Sequence, residues 1–596
     1  MKKLVVLDTE CLPNYWLLAV KGLDSGKVMK FEAYGEKAML SKSDISQIKS
    51  ILSTKTTFGF NSKNYDLPMI AYALSGATCE KLHKQSMKLI GGQSERMAMR
   101  DLSLDYPKMD HFDICDPAPA VMISLKNYGT RIRSKKLWDF FVDPKLPIDR
   151  KTADEISRYC ENDLEVTIDL YRAITDRINL RILMGEEYGL DLRSKSDAQI
   201  AEAVIVSELS SLGVIVNRPD LPSYYTAKYK APDYIHFKSN TLNDILDLVN
   251  STSFSLTSNG QVEMPKELAH KKIIIGNTTY KMGIGGLHSQ EKKLAVTSTD
   301  THVLRNADFT SYYPFIILNN SLAPKHLGKK FLDVYRRIVN RRIRAKQEGD
   351  TLTADSLKIT INGSFGKFGS KYSVLYSPDL LLGTTITGQL TLLMLIEQFE
   401  ANDISVISAN TDGLEYYCHR DKIQLAETII FDLELITGYE MEHGEYLGLY
   451  ARDVNNYIAK YKGKVKAKGI YAEPSLSKGL QTPIVFEAVR KYILNFTPME
   501  DTINECTDVN KFLSARTVNG GGVWNGKYLG KMVRWYYSTD GCSINYKLNG
   551  NLVPKTGEGV HPMMDILDEI PSNLNYDWYY KEAIAVLEDL GVSYVK

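Results

Sequence analysis

Ile404-Ser-Val-Ile-Ser-Ala-Asn410-Thr411-Asp412-Gly413-Leu-Glu-Tyr-Tyr417 reads as strand, tight turn, strand. Apolar runs flank an Asn-Thr-Asp-Gly turn, a hairpin pattern in which glycine supplies a positive φ. The turn sets Asp412 at an exposed tip. An acid there is ordinarily just a turn residue, so its meaning depends on what accompanies it. Upstream, Arg305-Asn-Ala-Asp308-Phe-Thr-Ser311-Tyr312-Tyr313-Pro314 is a strand ending in an acid, then a hydroxyl-rich turn closed by proline. Between the two acids, Lys358-Ile-Thr-Ile-Asn362-Gly-Ser-Phe365-Gly366-Lys-Phe follows a helical stretch and ends at glycine. Lys358, Asn362 and Phe365 stand at i, i+4 and i+7 and share one helical face. A cation, an amide and an aromatic ring on one stripe can contact a triphosphate and stack against a base.

The N-terminal third carries a second set of acids. Lys3 to Leu7 is a strand-like run ending in Asp8-Thr9-Glu10, and residues two apart on a strand face the same side. Two carboxylates on one face repel unless a cation lies between them. Phe58-Gly-Phe-Asn61-Ser-Lys-Asn-Tyr65-Asp66 is an apolar segment running into a polar turn, and Glu155-Ile-Ser-Arg-Tyr159-Cys-Glu-Asn-Asp163 is helical, with Tyr159 and Asp163 on one face. Each signal is weak alone. The ordered set offers oxygen ligands for two hard cations, which can activate water and stabilise the leaving oxygen of a phosphodiester. It resembles the 3′–5′ proofreading exonuclease domain of the Asp-Glu-Asp-Asp-Tyr type. That resemblance makes Asp8, Glu10, Asp66 and Asp163 metal ligands and Tyr159 the residue that orients the attacking water. Asn61 and Tyr65 become strand contacts, and Lys136 an extra active-site lysine.

The central motifs, in their order, resemble the family B DNA polymerases. Asp308-Phe-Thr-Ser-Tyr-Tyr-Pro is similar to motif A, Lys358 to Gly366 to motif B, and Asn410-Thr-Asp-Gly to motif C. Tyr280-Lys-Met-Gly-Ile-Gly285-Gly286 resembles the element joining exonuclease to palm. The resemblance runs from residue 4 to about residue 470 and implies an α+β multidomain fold. It is an RNase H-like exonuclease domain (1–190), a linker and insertion (191–300), then a right hand with palm (301–320 and 376–475), fingers (321–375) and thumb (476–596).

Carried over, Asp308 and Asp412 are the metal-binding carboxylates of polymerisation. Arg342, Lys346 and Lys358 meet the incoming triphosphate together with Asn362, Tyr313 stacks under the sugar and excludes ribonucleotides, and Phe365 packs the base pair. Gly285, Gly286, Gly366, Tyr457 and Lys468 contact DNA. The implied cofactor is Mg2+, two ions per active site, with Mn2+ as the alternative. The chain departs from the family pattern at Asn410, where the first motif C acid is usual, at Gly413 in place of serine, and at Phe365 in place of tyrosine.

Composition first points elsewhere. The chain has 596 residues with 73 Lys and Arg against 72 Asp and Glu, a net charge of +1, whereas nucleic-acid binders usually carry a basic excess. Segregation resolves this. Gly328 to Lys346 holds eight basic residues and one acid, +7 in nineteen residues, and lies between the first two polymerase motifs. Lysines at 460, 462, 464, 466 and 468 form a second tract, and Trp524 to Tyr537 interleaves lysine and arginine with aromatics. The seven cysteines are scattered without a Cys-x-x-Cys pair, which speaks against a zinc or disulfide framework and for reduced thiols in a cytoplasm. Leu380 to Ile396, the longest uncharged stretch, reads as too short and too polar for a membrane span.

Motifs A and B lie 50 residues apart and B and C 54. Protein-primed phage polymerases resemble this chain but carry extra subdomains in those intervals, so the expectation is a polymerase that extends a nucleic-acid primer. The short chain favours a phage replicative enzyme acting in the host cytoplasm as a monomer. Its expected partners are primer–template DNA, dNTPs and accessory proteins (a helicase–primase, clamp or single-strand-binding protein), with no membrane. The alternatives are an exonuclease with an impaired polymerase half and a non-catalytic primer–template binding protein. Residues 215–280 read as an insertion of unassigned role.

Overall fold

The computed structural model describes residues 3–119, 123–222 and 224–595. It is an α+β protein whose chain divides into two compact units. The first comprises Met1–Ser196, Pro474–Ile484 and Asn504–Tyr579, and the second Asp197–Glu473, Val485–Ile503 and Tyr580–Lys596.

The first unit is built on strands β1 (Leu4–Leu12), β2 (Tyr15–Gly22), β3 (Val28–Tyr34), β4 (Thr56–Gly59) and β5 (Asp110–Asp113), in spatial order β3-β2-β1-β4-β5. The first three are antiparallel, and β4 and β5 run parallel to β1. Both faces of β1 are covered. Val5, Leu7 and Cys11 join a core with the helices at Lys42–Thr54, Asp66–Leu74 and Cys79–Ile90. Val6 and Leu12 face the helix Arg150–Ala173, which contributes Ile156, Cys160, Leu164 and Ile168. Asp8 and Glu10 interrupt this second apolar row, so strand alternation itself aims two acids under the helix.

A long hairpin, Ser514–Trp524 and Lys527–Cys542, completes this unit. Arg534, expected in a DNA-tracking basic stretch, is fully buried. Its guanidinium donates to the carbonyls of Ser134, Lys135, Met563 and Met564 at 2.8–3.2 Å. Burial lowers its pKa to about 10 against the opposing charge of Asp565, and the five-donor fork is well supplied with acceptors. Residues 476–596 run through both units.

The second unit centres on a seven-stranded sheet. Its spatial order is Met441–Tyr446, His302–Phe309, Gly413–His419, Ser405–Asn410, Leu287–Ser289, Thr278–Met282, Ile273–Ile275. A four-stranded sheet (Leu294–Thr297, Gly448–Asp453, Asn456–Tyr461, Lys464–Ala467) lies in the same unit. The helix Pro378–Glu400 forms much of the core. It is longer than the uncharged stretch suggested, and by length and apolarity it could cross a membrane, but most of it is buried inside the protein. Within the segment 215–280, Tyr229, Ile235, Leu242, Ile245 and Phe254 join that core, and the strands from Ile273 onward extend the sheet.

The basic helix Gly328–Glu348 buries Phe331, Val334, Tyr335, Ile338 and Val339 on one face, leaving arginines on the other. It ends at Gly349, whose φ of +74° is the left-handed cap glycine favours. Asp350 then caps the next helix, Thr351–Phe368, accepting from the Thr353 N–H at 3.0 Å.

Candidate functional site

Two carboxylate clusters stand out, one in each unit. In the first, Asp8 and Glu10 project from β1 toward the helix Arg150–Ala173, and that helix presents Tyr159, Cys160 and Asp163. The ligand atoms of Asp8, Glu10 and Cys160 lie within 4.8 Å of one another. The Cys160 thiol donates to Asp8 Oδ2 at 3.4 Å. Asp66 opens its helix and accepts from the Thr9 N–H at 2.9 Å and the Thr9 hydroxyl at 2.5 Å, so its carboxylate is tied to the backbone between Asp8 and Glu10. Lys126 forms an ion pair with Asp163, and its ammonium lies 4.3 Å from the centroid of the Tyr159 ring.

Electrostatics follow from this crowding. Burial, then the charges of Asp66 and Asp163, push the Asp8 carboxyl well above its usual range. Burial and then Asp8 do the same to Glu10. Asp66 is raised to about 7, chiefly by burial, against which the Thr9 hydrogen bonds work. Tyr159 is raised by burial and by Asp163, so its hydroxyl keeps its proton. Enclosed acids that repel one another make a donor set suited to a divalent cation.

Asn61 is exposed at the mouth of the β4 turn, where its φ of +57° is in the left-handed region and its N–H donates to Asp113 Oδ1 at 2.9 Å. Asp113 also accepts from the Lys63 N–H, and sequence reading had not marked it. Tyr65 is half-buried, its hydroxyl 2.7 Å from that of Ser86 and its ring packed against the core. The Lys136 ammonium lies 5.3 Å from the Trp138 ring, whereas Lys126 is the lysine paired with Asp163.

In the second unit, Asp308 ends its strand and Asp412 sits in the hairpin turn, with the Phe309 N–H donating to the Asp412 carbonyl at 2.7 Å. Asp308 is paired in register with Gly413. The turn's positive φ belongs to Thr411 at +54° and not to Gly413. Gly413 is required for clearance, because a Cβ there would overlap the Asp308 carboxylate. Asn306 donates to Asp308 Oδ2 at 2.6 Å. Partial burial, then Asp412, raise Asp308, while the Asn306 hydrogen bond and Lys466 oppose them. Partial burial also raises Asp412, with Lys468 opposing. Lys464, Lys466 and Lys468 alternate along an exposed face, as period two demands.

Glu415, which sequence reading passed over, shares this face. It is paired in register with Asn306, two residues from Asp308. Enclosure and the charges of Asp308 and Glu291 raise its carboxyl to about 8. Its sequence signal is an acid within a strand otherwise rich in apolar and aromatic residues, in the row that alternates with Leu414, Tyr416 and Cys418.

Around these acids lie the other expected residues. The Tyr313 hydroxyl donates to the Gly285 carbonyl at 2.5 Å, and its ring lies 4.7 Å from that of Phe365. Gly286 is needed where a Cβ would meet Thr411 at 2.7 Å. Lys358, Asn362 and Gly366 are exposed on one face of their helix with Phe365 half-buried beside them, and nothing lies within 4 Å of a Cβ at 366. Arg342 donates to the Ser311 hydroxyl at 3.0 Å, and Lys346 pairs with Glu442 at 3.6 Å. The Tyr457 carbonyl accepts from the Lys468 N–H at 2.8 Å, and burial with Glu415 and Asp308 raises the Tyr457 hydroxyl.

No family model matches the chain. It is similar to DNA polymerase 1 of Sulfolobus acidocaldarius, 28% identical over 162 aligned residues. The alignment takes in 26% of this chain and 17% of that protein's length.

Proposed function

We propose that the protein is a template-directed DNA polymerase that extends a nucleic-acid primer with dNTPs and edits its product with a 3′–5′ exonuclease. The observation that carries this reading is the meeting of Asp308, near the end of its strand, with Asp412 in the hairpin turn that precedes the paired strand, with Tyr313, Phe365 and the exposed Lys358–Asn362 face in the same unit. The partial similarity to a DNA polymerase supports it. On this reading the second unit holds palm and fingers. The order β3-β2-β1-β4-β5, with its antiparallel and parallel halves, supports an RNase H-like nuclease in the first.

Divalent cations held by Asp308 and Asp412, and by Asp8, Glu10, Asp66 and Asp163, would supply charge neutralisation and an activated oxygen nucleophile. The chain's own groups do the rest. Asn306 fixes the Asp308 carboxylate. Arg342, Lys346 and Lys358 offer cations to a triphosphate, arginine through its planar fork. Tyr313 is set beneath the sugar by its bond to Gly285 and blocks a 2′-hydroxyl. In the nuclease centre Tyr159 stays protonated and orients a water molecule by hydrogen bonding. We place the enzyme as a phage-type replicative monomer in a host cytoplasm, working with primer–template DNA and accessory replication proteins. Asn410 favours a second reading, an exonuclease with an impaired polymerase half, because its amide reaches Asn455 at 3.3 Å where the family pattern has an acid.

A labelled primer–template separates these. With all four dNTPs and Mg2+, wild type extends, and without dNTPs it degrades. Asp412→Asn loses extension by more than about a hundredfold, beyond what loss of a ligand's supporting contact costs, and keeps degradation. Asp8→Ala does the reverse. Degradation without extension in wild type selects the second reading, and neither activity refutes both.

A further inference from the structure

Gln389 lies in the middle of the core helix Pro378–Glu400 and is 1% exposed. A carboxamide is costly to bury unless its donors and its acceptor are bonded. Its Nε2 donates to the Gly283 carbonyl at 2.8 Å and to the Thr385 carbonyl at 3.1 Å. Its Oε1 accepts from the Gly283 N–H at 3.1 Å. Both backbone groups of Gly283 are thus paired with one side chain, in the place where a neighbouring strand would otherwise pair with them.

Gly283 opens the loop Gly283–Gly286, which joins the paired residues Met282 and Leu287. Ile284 is its one residue other than glycine, so the loop has little rigidity of its own. What holds it comes from outside. Ile284 packs against the core, and the Tyr313 hydroxyl donates to the Gly285 carbonyl at 2.5 Å. Just beyond the loop, the Leu287 carbonyl accepts from the Thr411 N–H at 2.8 Å. Contacts therefore run from Gln389 through the loop to Tyr313 on one side and to the Asp412 turn on the other.

The same turn of helix seats the rings. The Tyr312 hydroxyl donates to the Gly388 carbonyl at 2.7 Å. A Cβ at Gly388 would lie 3.2 Å from the Tyr312 ring and 3.5 Å from the Tyr313 ring. Tyr313 is therefore set against Gly388 by its ring, while its hydroxyl is held by a loop that the next residue, Gln389, ties down.

We propose that Gln389 is a positioning residue for sugar selection: by pairing with Gly283 it fixes the Gly285 carbonyl, and through that carbonyl the Tyr313 ring that faces the sugar. This rests on the polymerase reading above. With the loop released, the Tyr313 hydroxyl follows its acceptor or loses it, and the ring gains room to swing away from a 2′-hydroxyl. Gln389 itself touches no substrate, so its loss falls on the choice between sugars more than on turnover.

The test uses the full chain and Gln389→Met, which keeps the length of the side chain and a strong helix former but removes donor and acceptor together. Hydrogen exchange without nucleotide should quicken about tenfold at the Gly283 amide, the scale of a local opening, and stay as in wild type in the helix Ile423–Thr437 of the same unit. Single-nucleotide primer extension with a dNTP or the matching rNTP should show selectivity for the dNTP falling about tenfold, chiefly through a lower KM for the rNTP. In a Tyr313→Val background, adding Gln389→Met should change selectivity by less than about twofold, because the two residues act as one unit. Either wild-type exchange at Gly283 or wild-type selectivity in Gln389→Met overturns the proposal. So does an equal fall in dNTP and rNTP extension, or a further tenfold loss of selectivity in the Tyr313→Val background, which would mark Gln389 as a packing residue only. A wild type that extends with neither nucleotide refutes the polymerase reading, and the sugar selection with it; exchange at Gly283 then decides by itself whether Gln389 holds the loop.

Discussion

The two carboxylate clusters solve one electrostatic problem in opposite ways. In the first unit Asp8 and Glu10 of β1 and Asp66 are crowded with Asp163 of the helix Arg150–Ala173, and each raises the pKa of a neighbour. The charge of Lys126 opposes them at Asp8 and Glu10. In the second unit Asp308 and Asp412 reach solvent, lysines 466 and 468 oppose the rise of their pKa values, and a glycine clears space beside one of them. The first arrangement stores repulsion that a cation relieves. The second keeps its acids accessible, as the proposed triphosphate substrate would require. Crowding makes the first cluster sensitive to loss of charge, and openness makes the second sensitive to position.

The largest expected effect tests position. Gly413→Ala places a methyl group against the Asp308 carboxylate and 3.1 Å from the Ala307 carbonyl, forcing the acid away from Asn306. A displacement of that size costs extension about a hundredfold, while degradation by the other unit stays at wild-type rate. Equal loss of both activities would show that the glycine serves folding and not geometry. Next comes loss of charge. Lys126→Met removes the buried partner of Asp163 and should destabilise the first unit by about 3 kcal/mol in EDTA, with Mg2+ restoring part of it. All five tryptophans lie in that unit, so their fluorescence during urea unfolding follows it alone. An unchanged midpoint in EDTA would contradict the crowding account.

How much of this was readable from the chain depended on whether a contact is local. Strand alternation placed Asp8 and Glu10 together, helical spacing placed Tyr159 with Asp163, and the i, i+4, i+7 stripe of Lys358, Asn362 and Phe365 emerges on one side of its helix. Lys126 was not legible, because no short-range pattern links it to an acid 37 residues away; Lys136 had only a similar local setting. The contact of the Tyr65 hydroxyl with Ser86 was not legible either, because Ser86 is brought in by a separate helix. The C-terminal hairpin was the largest loss. Its basic and aromatic residues read as a DNA track, whereas Arg534 spends its donors on carbonyls some 400 residues earlier in the chain. The polar composition of 215–280 hid a sparse apolar set sufficient to join the core.

A smaller effect separates the units by pH. His111 lies on β5, bonded to the Thr57 and Ser62 hydroxyls at 2.9 Å each. Burial, then Lys63 and Arg193, lower its pKa to about 3. The folded unit keeps this ring neutral while the unfolded chain protonates it below about pH 6.5. Stability from this source is therefore complete above pH 6.5 and declines as pH falls from there toward 3, by at most about 1.4 kcal/mol per unit. Tryptophan-detected urea midpoints at pH 7.5, 6 and 5 measure it, and His111→Gln should flatten the slope. The same slope in the variant would mean that other groups carry the acid sensitivity.

The smallest expected effect concerns Glu415, where the second unit most resembles the first. With its carboxyl raised to about 8 by enclosure and by Asp308, it is mostly protonated at pH 7. A neutral carboxyl and an amide have nearly the same shape, so Glu415→Gln should leave extension within about twofold at that pH. Above pH 8 the two proteins should part. Glu415 then ionises and puts a second negative charge beside Asp308, as Asp66 does beside Asp8. Wild-type extension should fall relative to the variant, which has no proton to lose. Coincident pH–rate profiles from pH 6.5 to 9.5 would mean that Glu415 does not act on Asp308. A divergence would mean that the open cluster stays open at neutral pH because one of its acids is held neutral.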